Sequence, residues 1–320
     1  MSTSVAVIIL TYNEQSHIER AIRSVASFAT EIFVIDSFST DNTVDIARKN
    51  GAQVIQRAFV NYAEQFQWGL DNLPITSNWT MRLDADEIID PPLAAEIVDR
   101  LPALTADMTV GGINLKRRHV FMGRWVRHGG RYPLILTRLW RTGSGCIEDR
   151  WMDEHIVVAE GRMVLLENYF SDVNLGDLTF FTAKHNGYAT REAIDALNEK
   201  YSLFASAYVV STRTASRQAT FKRFVKERVY NRLPFWVGPL GYFLYRYIVQ
   251  LGFLDGPTGL IYHFLQGFWY RFLVGAKRYE YDKALAPLPG ATERLAMLEK
   301  LTGKQLGPIG TRAVPRLAAD

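Results

Sequence analysis

The chain has 320 residues, of which 48% are hydrophobic and 22% charged, and its formal net charge at pH 7 is +4. This composition is typical of a globular protein with a sizeable core, in one large domain plus an appendage or in two modest domains. The single cysteine, Cys146, excludes an internal disulfide framework and suits a reducing compartment. The first four side chains carry no positive charge, and the apolar run after them has only the length of a strand, so no signal peptide is expected there.

The first part of the chain alternates between patterns typical of strands and of helices. Residues 5–10 are an unbroken apolar run, as in a strand buried on both faces. Ser16 and Glu19 predict a capping box at the start of a helix, and Gly51 predicts the end of another. Further strands are predicted at residues 32–35, 53–55 and 79–83, and helical segments at 44–49 and 62–70. This alternation predicts an α/β fold, with a mostly parallel sheet and helices on both faces.

Two short acidic stretches are the main candidates for a functional site. In the first, a predicted strand ends in Asp84, Asp86 and Glu87. Ligands of open α/β sheets bind at the carboxyl ends of strands, and two carboxylates separated by one residue can hold Mg²⁺ or Mn²⁺ together with a phosphate group. The alternative is a solvated turn that caps the next helix. The second stretch contains Asp153 and Glu154 and also leads into an apolar run.

The loop after the first predicted strand contains no glycine, so the Gly-x-Gly-x-x-Gly pattern of dinucleotide-binding proteins is missing. Tyr12 in this loop could instead stack on a nucleotide base. Asp36, at the end of the second predicted strand, is placed to accept hydrogen bonds from a base or a ribose, or else to cap a helix.

The carboxyl half contains a basic stretch followed by an aromatic-rich region. The basic residues are Arg213, Arg217, Lys222, Arg223, Lys226, Arg228 and Arg232. Residues 230–279 then hold fifteen aromatic side chains. Because the aromatic residues follow the charges instead of interleaving with them, the pattern suits lipid better than nucleic acid, and no nucleic-acid partner is expected.

Charged residues interrupt every window of this region that approaches the about 20 apolar residues of a transmembrane helix. Residues 234–254 come nearest, with Arg246 near the middle, which leaves a shallow or re-entrant insertion open. The prediction is a set of amphipathic helices lying at an anionic membrane surface. The alternatives are a helical bundle packed on the rest of the protein, or a dimer face.

Three of these segments together resemble the successive motifs of family 2 nucleotide-sugar glycosyltransferases with the A-type fold. They are Thr11-Tyr12-Asn13-Glu14, residues 36–43 and Leu83-Asp84-Ala85-Asp86-Glu87, and the resemblance covers roughly residues 5–160. It implies a nucleotide-binding sheet, with a nucleoside pocket lined by Thr11, Tyr12, Glu14 and Asp36. It also implies that Asp84 and Asp86 contact the sugar diphosphate and its metal ion.

The carboxyl half resembles the tail of bacterial envelope glycosyltransferases, a group that includes lipopolysaccharide-core β-glucosyltransferases. The segments concerned are residues 252–259 and 268–272. This likeness implies docking at the cytoplasmic face of the inner membrane, as a peripheral or interfacial protein. The expected division is a catalytic domain at 1–205, an amphipathic helical membrane-associating region at 206–285 and a tail at 286–320.

The chain departs from the family pattern in three places. Gln65-Phe66-Gln67 stands where many members carry an Arg-Asn pair, and Ser37 follows Asp36 where a second acid is usual. The Gln-x-x-Arg-Trp motif of processive synthases is missing after the second acidic stretch, which favours transfer of one sugar per visit.

Inverting sugar transfer also needs a base for the acceptor hydroxyl. The family places it in an acidic pair after the sheet, and Asp153-Glu154 matches that pair, with Glu154 as the base and Asp153 orienting the acceptor. His155 is a rival base. Trp151 is either a platform for a sugar ring or a core residue. Lys116, Arg117, Arg118 and Arg131 either meet a phosphorylated acceptor or form a solvated basic face.

The resemblance therefore implies a metal-dependent hexosyltransferase that uses Mg²⁺ or Mn²⁺. It would move one sugar from a UDP-glucose-like donor to a lipid-linked or envelope saccharide acceptor, in lipopolysaccharide or polysaccharide biosynthesis. The alternative is a catalytically inactive sugar-nucleotide-binding or scaffold protein at the membrane.

Overall fold

A mixed β-sheet organises the part of the chain that the computed structural model describes, which is residues 3–148, 154–204, 235–304 and residue 306. The strands of this part are β1 (Val5–Thr11), β2 (Glu31–Asp36), β3 (Gln53–Gln56), β4 (Trp79–Arg82), β5 (Glu87–Ile89), β6 (Val110–Phe121), β7 (Arg124–Trp125), β8 (Leu134–Arg141), β9 (Gly145–Ile147), β10 (Ile156–Val158) and β11 (Arg162–Val173). The sheet has the order β3-β2-β1-β4-β8-β6-β11-β5, and β7 pairs with β6. Strands β9 and β10 form a separate antiparallel pair.

The first half of the sheet is parallel, as the alternation of strand and helix predicts. Strand β1 pairs in parallel with β2 and β4, and β2 with β3. In the second half, β8 runs antiparallel to both β4 and β6, β11 is parallel to β6, and β5 is antiparallel to β11. The α/β prediction is confirmed, and the antiparallel strands are an addition that local patterns did not reveal.

Helices cover both faces of the sheet. In chain order the helices of the described residues are α1 (Ile18–Val25), α2 (Thr43–Lys49), α3 (Tyr62–Asn72), α4 (Pro91–Ala106), α5 (Leu178–Tyr201), α6 (Val237–Leu244), α7 (Gly256–Tyr262), α8 (Tyr270–Leu285) and α9 (Ala291–Thr302). Alternate residues of β1 face opposite cores: Val7 packs with residues of α1 and α4, whereas Ile8 packs with Phe66 of α3. Burial on both faces explains why residues 5–10 are apolar without interruption.

The predicted stop of α2 is confirmed, but the predicted capping box of α1 is wrong. Gly51 follows the last turn of α2 with a φ of +87°, in the left-handed region that favours glycine. Helix α1 begins at Ile18 instead of Ser16, and its N-cap makes no side-chain hydrogen bond. The backbone N–H groups of His17 and Ile18 both donate to the carbonyl oxygen of Glu14, each at 2.9 Å, so the entry turn uses other partners than the capping box.

The carboxyl-terminal helices pack on α5 and on each other. Ile194 and Leu197 of α5 share a core with Tyr281 and Leu285 of α8 and with Leu298 of α9. The described segment between α6 and α8 is irregular, with π-helical turns at Tyr245–Val249 and His263–Trp269 and a 3₁₀ turn at Gly252–Asp255. None of the helices in the described residues is long and apolar enough to cross a membrane. The domain division at 205/206 and 285/286 stays a prediction.

Candidate active site

Asp84 lies directly beyond β4, and three side chains hold its carboxylate. The Tyr62 hydroxyl and Arg82 Nε donate to Oδ1, the latter at 3.2 Å, and Arg138 Nη2 lies 3.6 Å from Oδ2. Burial alone would raise the pKa of Asp84, but the charges of Arg82 and Arg138 outweigh it and hold that pKa well below its ordinary value. Asp84 is therefore ionised, and its oxygens face protein donors.

Glu87 supports the turn that carries the first acidic stretch. Its carboxylate forms a buried ion pair with Arg138 and accepts a hydrogen bond from the backbone N–H of Asp84 at 3.0 Å. Burial raises the pKa of Glu87, Arg138 opposes that shift, and the nearby Asp84 adds to it. These contacts make Glu87 a structural part of the turn, because it has almost no exposed surface.

Asp86 points toward the segment that follows β11. Its Oδ2 atom accepts a hydrogen bond from Asn174 Nδ2 at 3.0 Å and lies 3.4 Å from Lys184 Nζ. Burial would lower the pKa of Lys184, but the charge of Asp86 and of other nearby acids raises it above its ordinary value, so the ammonium stays charged. The other oxygen, Oδ1, accepts no hydrogen bond from the residues that the structure describes.

The second acidic stretch reaches the first through Arg82. Its Nη1 donates to the carbonyl oxygen of Glu154 at 3.1 Å, while its guanidinium lies 4.3 Å from the centre of the Tyr62 ring. His155 is exposed, and its Nδ1 lies 3.2 Å from Glu148 Oε2. The predicted residues Asp153 and Trp151 lie outside the described residues.

Asp36 is fully buried, and its carboxylate oxygens accept hydrogen bonds from four protein donors. Thr11 Oγ1 donates at 3.0 Å, the Ser39 N–H at 2.8 Å and Gln56 Nε2 at 3.1 Å, and the Ser39 hydroxyl also donates. A carboxylate has about four acceptor positions, so a base or ribose contact would require Ser39 or another donor to give one up. Direct donor binding by Asp36 stays a prediction, and its structural role is to order the loop after β2.

The remaining predicted donor-binding residues surround this loop. Thr11 is buried against Asp36, while 58% of Tyr12 is exposed, so its ring is accessible to a ligand. Glu14 Oε2 accepts a hydrogen bond from His17 Nδ1 at 2.6 Å, and His17 Nε2 accepts from the Leu175 N–H at 2.9 Å. His17 thus joins the predicted nucleoside pocket to the chain that carries Asn174 and Lys184.

The described residues contain no group of three or more His, Cys, Asp and Glu side chains that could hold a metal ion by themselves. Mg²⁺, however, is often held by one or two carboxylates plus substrate phosphates. Asp86 fits such a site because one of its oxygens is uncommitted. Asp84 fits less well, since Arg82, Arg138 and Tyr62 already contact its carboxylate.

Comparison with known proteins identifies the family. Residues 6–165 match the family described as Glycosyl transferase family 2. The chain belongs to this family.

The relatives of this family 2 chain match it over short segments. An uncharacterized glycosyltransferase of Rickettsia bellii (strain RML369-C) is 37% identical over 97 residues, which are 30% of this chain and 32% of that protein. The SPbeta prophage-derived glycosyltransferase SunS of Bacillus subtilis (strain 168) is 33% identical over 82 residues, 25% of this chain and 19% of that protein. The match thus spans about a third of the Rickettsia protein's own length.

Among solved structures, glucosyl-3-phosphoglycerate synthase from Mycobacterium tuberculosis, in complex with Mg²⁺ and uridine diphosphate, is 22% identical with a TM-score of 0.30. The match covers 37% of this chain and 44% of that one.

The basic residues of β6 in this family 2 chain are paired with acids rather than solvated. Lys116 pairs with Glu167 at 2.9 Å, Arg117 lies 3.6 Å from Asp172, and Arg118 Nη2 lies 2.9 Å from Asp90 Oδ1. The solvated basic face is therefore wrong for these three residues, because each meets a carboxylate from a neighbouring element. Gln65 belongs to the segment that was predicted to lack the Arg-Asn pair of the family. It is buried and accepts a hydrogen bond from Arg57 at 2.8 Å.

Two residues of the chain after β11 contact the acidic turn, and no sequence motif predicts them. Asn174 and Lys184 reach Asp86 across 88 and 98 residues, so no local motif contains them. Lys184 could have been noticed only as a lysine flanked by aromatic residues on one helix face, with Phe180 and Tyr188 four residues away on either side.

Proposed function

We propose that this chain is an inverting glycosyltransferase that moves one sugar from a nucleotide diphosphate sugar to a lipid-linked or envelope saccharide acceptor. The observation that supports this most is Arg82, which contacts both the Asp84 carboxylate and the Glu154 backbone at the carboxyl end of β4. Arg82 thus links Asp84, proposed for the donor, to the backbone of Glu154, proposed for the acceptor. This supports a shared site at the edge of the sheet where ligands of α/β sheets bind.

The donor would lie along the ends of β1, β2 and β4. Tyr12 would stack on the base, because its ring is exposed beside the loop that Asp36 and Thr11 order. Glu14 and Asp84 would complete the pocket for the ribose and the diphosphate. A UDP-glucose-like donor is the proposed substrate class.

Asp86 would hold a Mg²⁺ or Mn²⁺ ion together with the donor diphosphate, with Asp84 nearby. When bound, such an ion supplies positive charge to the diphosphate leaving group. The chain's own residues position the carboxylate: Asn174 donates to Oδ2 of Asp86, which leaves Oδ1 for the ion.

Glu154 would act as the base. Its carboxylate would take the proton of the acceptor hydroxyl as the acceptor oxygen bonds to the anomeric carbon. The bond from that carbon to the phosphate oxygen breaks at the same time, and its electron pair leaves with the diphosphate. Asp153 would orient the acceptor. His155 is the weaker candidate because it is exposed and paired with Glu148.

An uncharged apolar surface supports membrane docking. Exposed apolar side chains run through residues 235–254: Phe235, Trp236, Leu240, Leu244, Tyr245, Ile248, Val249, Leu251, Phe253 and Leu254. Arg246, the charge within this run, is only 2% exposed, and its Nε donates inward to the carbonyl oxygen of Gly129 at 2.8 Å. Large exposed apolar patches mark membrane or protein interaction sites, and amphipathic aromatic rings favour the head-group region.

The proposed location is therefore the cytoplasmic face of a bacterial inner membrane, at an anionic lipid surface. The basic residues predicted to meet the head groups, between Arg213 and Arg232, lie outside the described residues. Docking would bring a lipid-linked acceptor of lipopolysaccharide or polysaccharide biosynthesis to the pocket.

A nucleotide-sugar panel tests the proposed activity. The purified full chain is incubated with UDP-glucose, UDP-galactose, GDP-mannose and dTDP-rhamnose, with and without Mn²⁺, and melting temperature and sugar release are measured. One donor should raise the melting temperature and be hydrolysed slowly only with the ion present. Donor binding without hydrolysis or transfer would support the inactive binding protein instead, and no binding of any donor would reject both.

A further inference from the structure

Lys184 lies next to the acidic turn between β4 and β5. It belongs to α5, which follows the last strand of the sheet, and it comes 98 residues after Asp86 in the chain. Its Nζ is 3.4 Å from Asp86 Oδ2, and 31% of its side chain is exposed. The same oxygen of Asp86 already accepts a shorter hydrogen bond from Asn174 at 3.0 Å. The ammonium group carries three donors, of which Asp86 uses at most one and the Tyr188 hydroxyl another, so at least one is left over.

Two aromatic rings of α5 lie near the Lys184 ammonium. Nζ lies 5.8 Å from the ring centre of Phe180 and 6.0 Å from that of Tyr188. These residues stand one turn before and one turn after Lys184 on the same face of α5. A cation near aromatic faces is stabilised by them, so the two rings favour the position of Nζ beside Asp86.

Three other cations near this edge already contact protein groups. One is Arg20, whose charge also acts on Asp86 and whose Nη2 donates to the carbonyl oxygen of Val173. Arg82 and Arg138 are 11% and 4% exposed, and both contact Asp84. A diphosphate that arrives here brings negative charge beside Asp84 and Asp86, so it needs a cation that remains accessible. Lys184 meets that requirement within the described residues around Asp86.

We propose that Lys184 binds the diphosphate of the donor, beside the ion held by Asp86, and so supplies a second positive charge to the leaving group. This inference rests on the proposed function. An ammonium is a compact charge whose remaining N–H donors can reach phosphate oxygens while the first stays on Asp86. Lys184 of α5 thereby binds the nucleotide-sugar substrate, although it lies outside the segment that carries the acidic motif.

A purely structural role is the competing explanation, in which Lys184 only ties α5 to the sheet through Asp86. The two roles differ in what a substitution changes. A diphosphate contact affects the affinity for diphosphates and leaves nucleoside affinity alone. A structural tie affects thermal stability and every ligand of the pocket together.

The test compares Lys184→Met and Lys184→Arg with Lys200→Met as a matched control. Lys200 is on the same helix and pairs with Asp282 at 2.7 Å, so its loss also removes one lysine–carboxylate pair. Calorimetry with Mn²⁺ present measures the binding of UDP, GDP, dTDP and ADP to the full chain, and the tightest of them is then compared with its nucleoside in every variant.

Lys184→Met should weaken the diphosphate by about tenfold or more, the scale expected for a lost hydrogen bond to a charged group. Nucleoside affinity and melting temperature should match those of the Lys200→Met control, and Lys184→Arg should retain most of the affinity. Unchanged diphosphate binding in Lys184→Met would overturn the inference, as would a parallel loss of nucleoside binding and melting temperature. If the wild-type chain binds none of the four diphosphates, the proposed function itself fails.

Discussion

Arg82 Nη1 lies 3.1 Å from the carbonyl oxygen of Glu154, 72 residues later in the chain. The same guanidinium donates to Asp84 through Nε. Arg82 therefore links the second acidic stretch to the first. Removal of the Glu154 carboxylate alone should leave this contact in place, because the backbone carbonyl makes it.

Glu154→Gln should keep donor and metal binding and lower the rate of sugar transfer by about 10² or more, the usual scale for a general base. The amide has nearly the same shape as the carboxylate but accepts no proton at neutral pH. Single-turnover transfer and donor affinity are measured on the same preparation. His155→Gln is the matched variant, and a loss of less than tenfold in Glu154→Gln would move the role to Asp153 or His155.

Asp86→Ala should abolish transfer and metal-dependent donor binding while the fold survives. The Asp86 side chain lies at the edge of the sheet, outside the hydrophobic core. Its substitution removes the hydrogen bonds to Asn174 and Lys184 but no core packing, so the fold should survive. Turnover, donor binding with and without EDTA, and the melting temperature are the measurements. Asp45→Ala, an exposed acid in α2, is the control. Full activity of the variant, or of the wild type in EDTA, would contradict the proposed metal site.

Val249→Asp combined with Leu254→Asp should release the protein from vesicles of phosphatidylethanolamine and phosphatidylglycerol. Both side chains are more than half exposed, so the charges should cost little stability in water while opposing entry into the lipid interface. Flotation gives the bound fraction, and Met108→Asp is the control because Met108 is 73% exposed in the turn between α4 and β6.

High salt should also release part of the wild-type protein, since anionic head groups attract basic residues electrostatically. A double variant that floats as the wild type does would leave the apolar surface without a role in lipid binding. A shift from monomer to dimer that the double variant abolishes would instead assign this surface to a second copy of the chain.

Stability should fall as the pH drops from about 6.5 to about 4, because His263 is fully buried and must stay neutral in the folded protein. Burial, followed by the charge of Arg246, lowers its pKa to about 4, whereas Asp255 opposes the shift and Arg131 and His128 add to it. The unfolded chain takes up the proton near pH 6.5, so acid favours unfolding over this window. The full effect is about 3 kcal/mol.

Urea denaturation at several pH values measures the free energy of unfolding. His263→Gln should be less stable at pH 7 but show a smaller loss between pH 6.5 and 4 than the wild type. His155→Gln, which replaces an exposed histidine, should retain the wild-type slope. Equal slopes in the His263 variant and the wild type would mean that this histidine is protonated in the fold.

Local pattern predicted the parallel half of the sheet because each buried strand stops at a polar residue. Thr11, Asp36 and Asp84 follow or end adjacent parallel strands, so the sequence order of the motifs translates directly into one edge of the sheet. The capping box at Ser16 failed for a tertiary reason: His17 is engaged by Glu14 and Leu175, and the turn follows those contacts.

The features of the fold that local patterns did not predict depend on partners far away in the sequence. Strand β8 enters between β4 and β6, and nothing in residues 134–141 specifies which strands it joins. In the sequence, Arg246 interrupts an apolar segment. In the structure its side chain points inward, because the carbonyl oxygen of Gly129, 117 residues earlier, accepts its hydrogen bond. Polar residues in an apolar run can be assigned only when their partner is known.

The position of β5 has a consequence for the order of folding. Among the described strands it pairs with β11 alone, which brings Ile88 against Ser171 and Glu87 against Asp172. The pairing of β5 with β11, which supports the acidic turn between β4 and β5, can therefore form only after residue 173 has been synthesised. Contacts of such long sequence separation form late, since the loop-closure entropy must be overcome first. A nascent chain that already contains every acidic motif of residues 11–87 would still lack the geometry to use them.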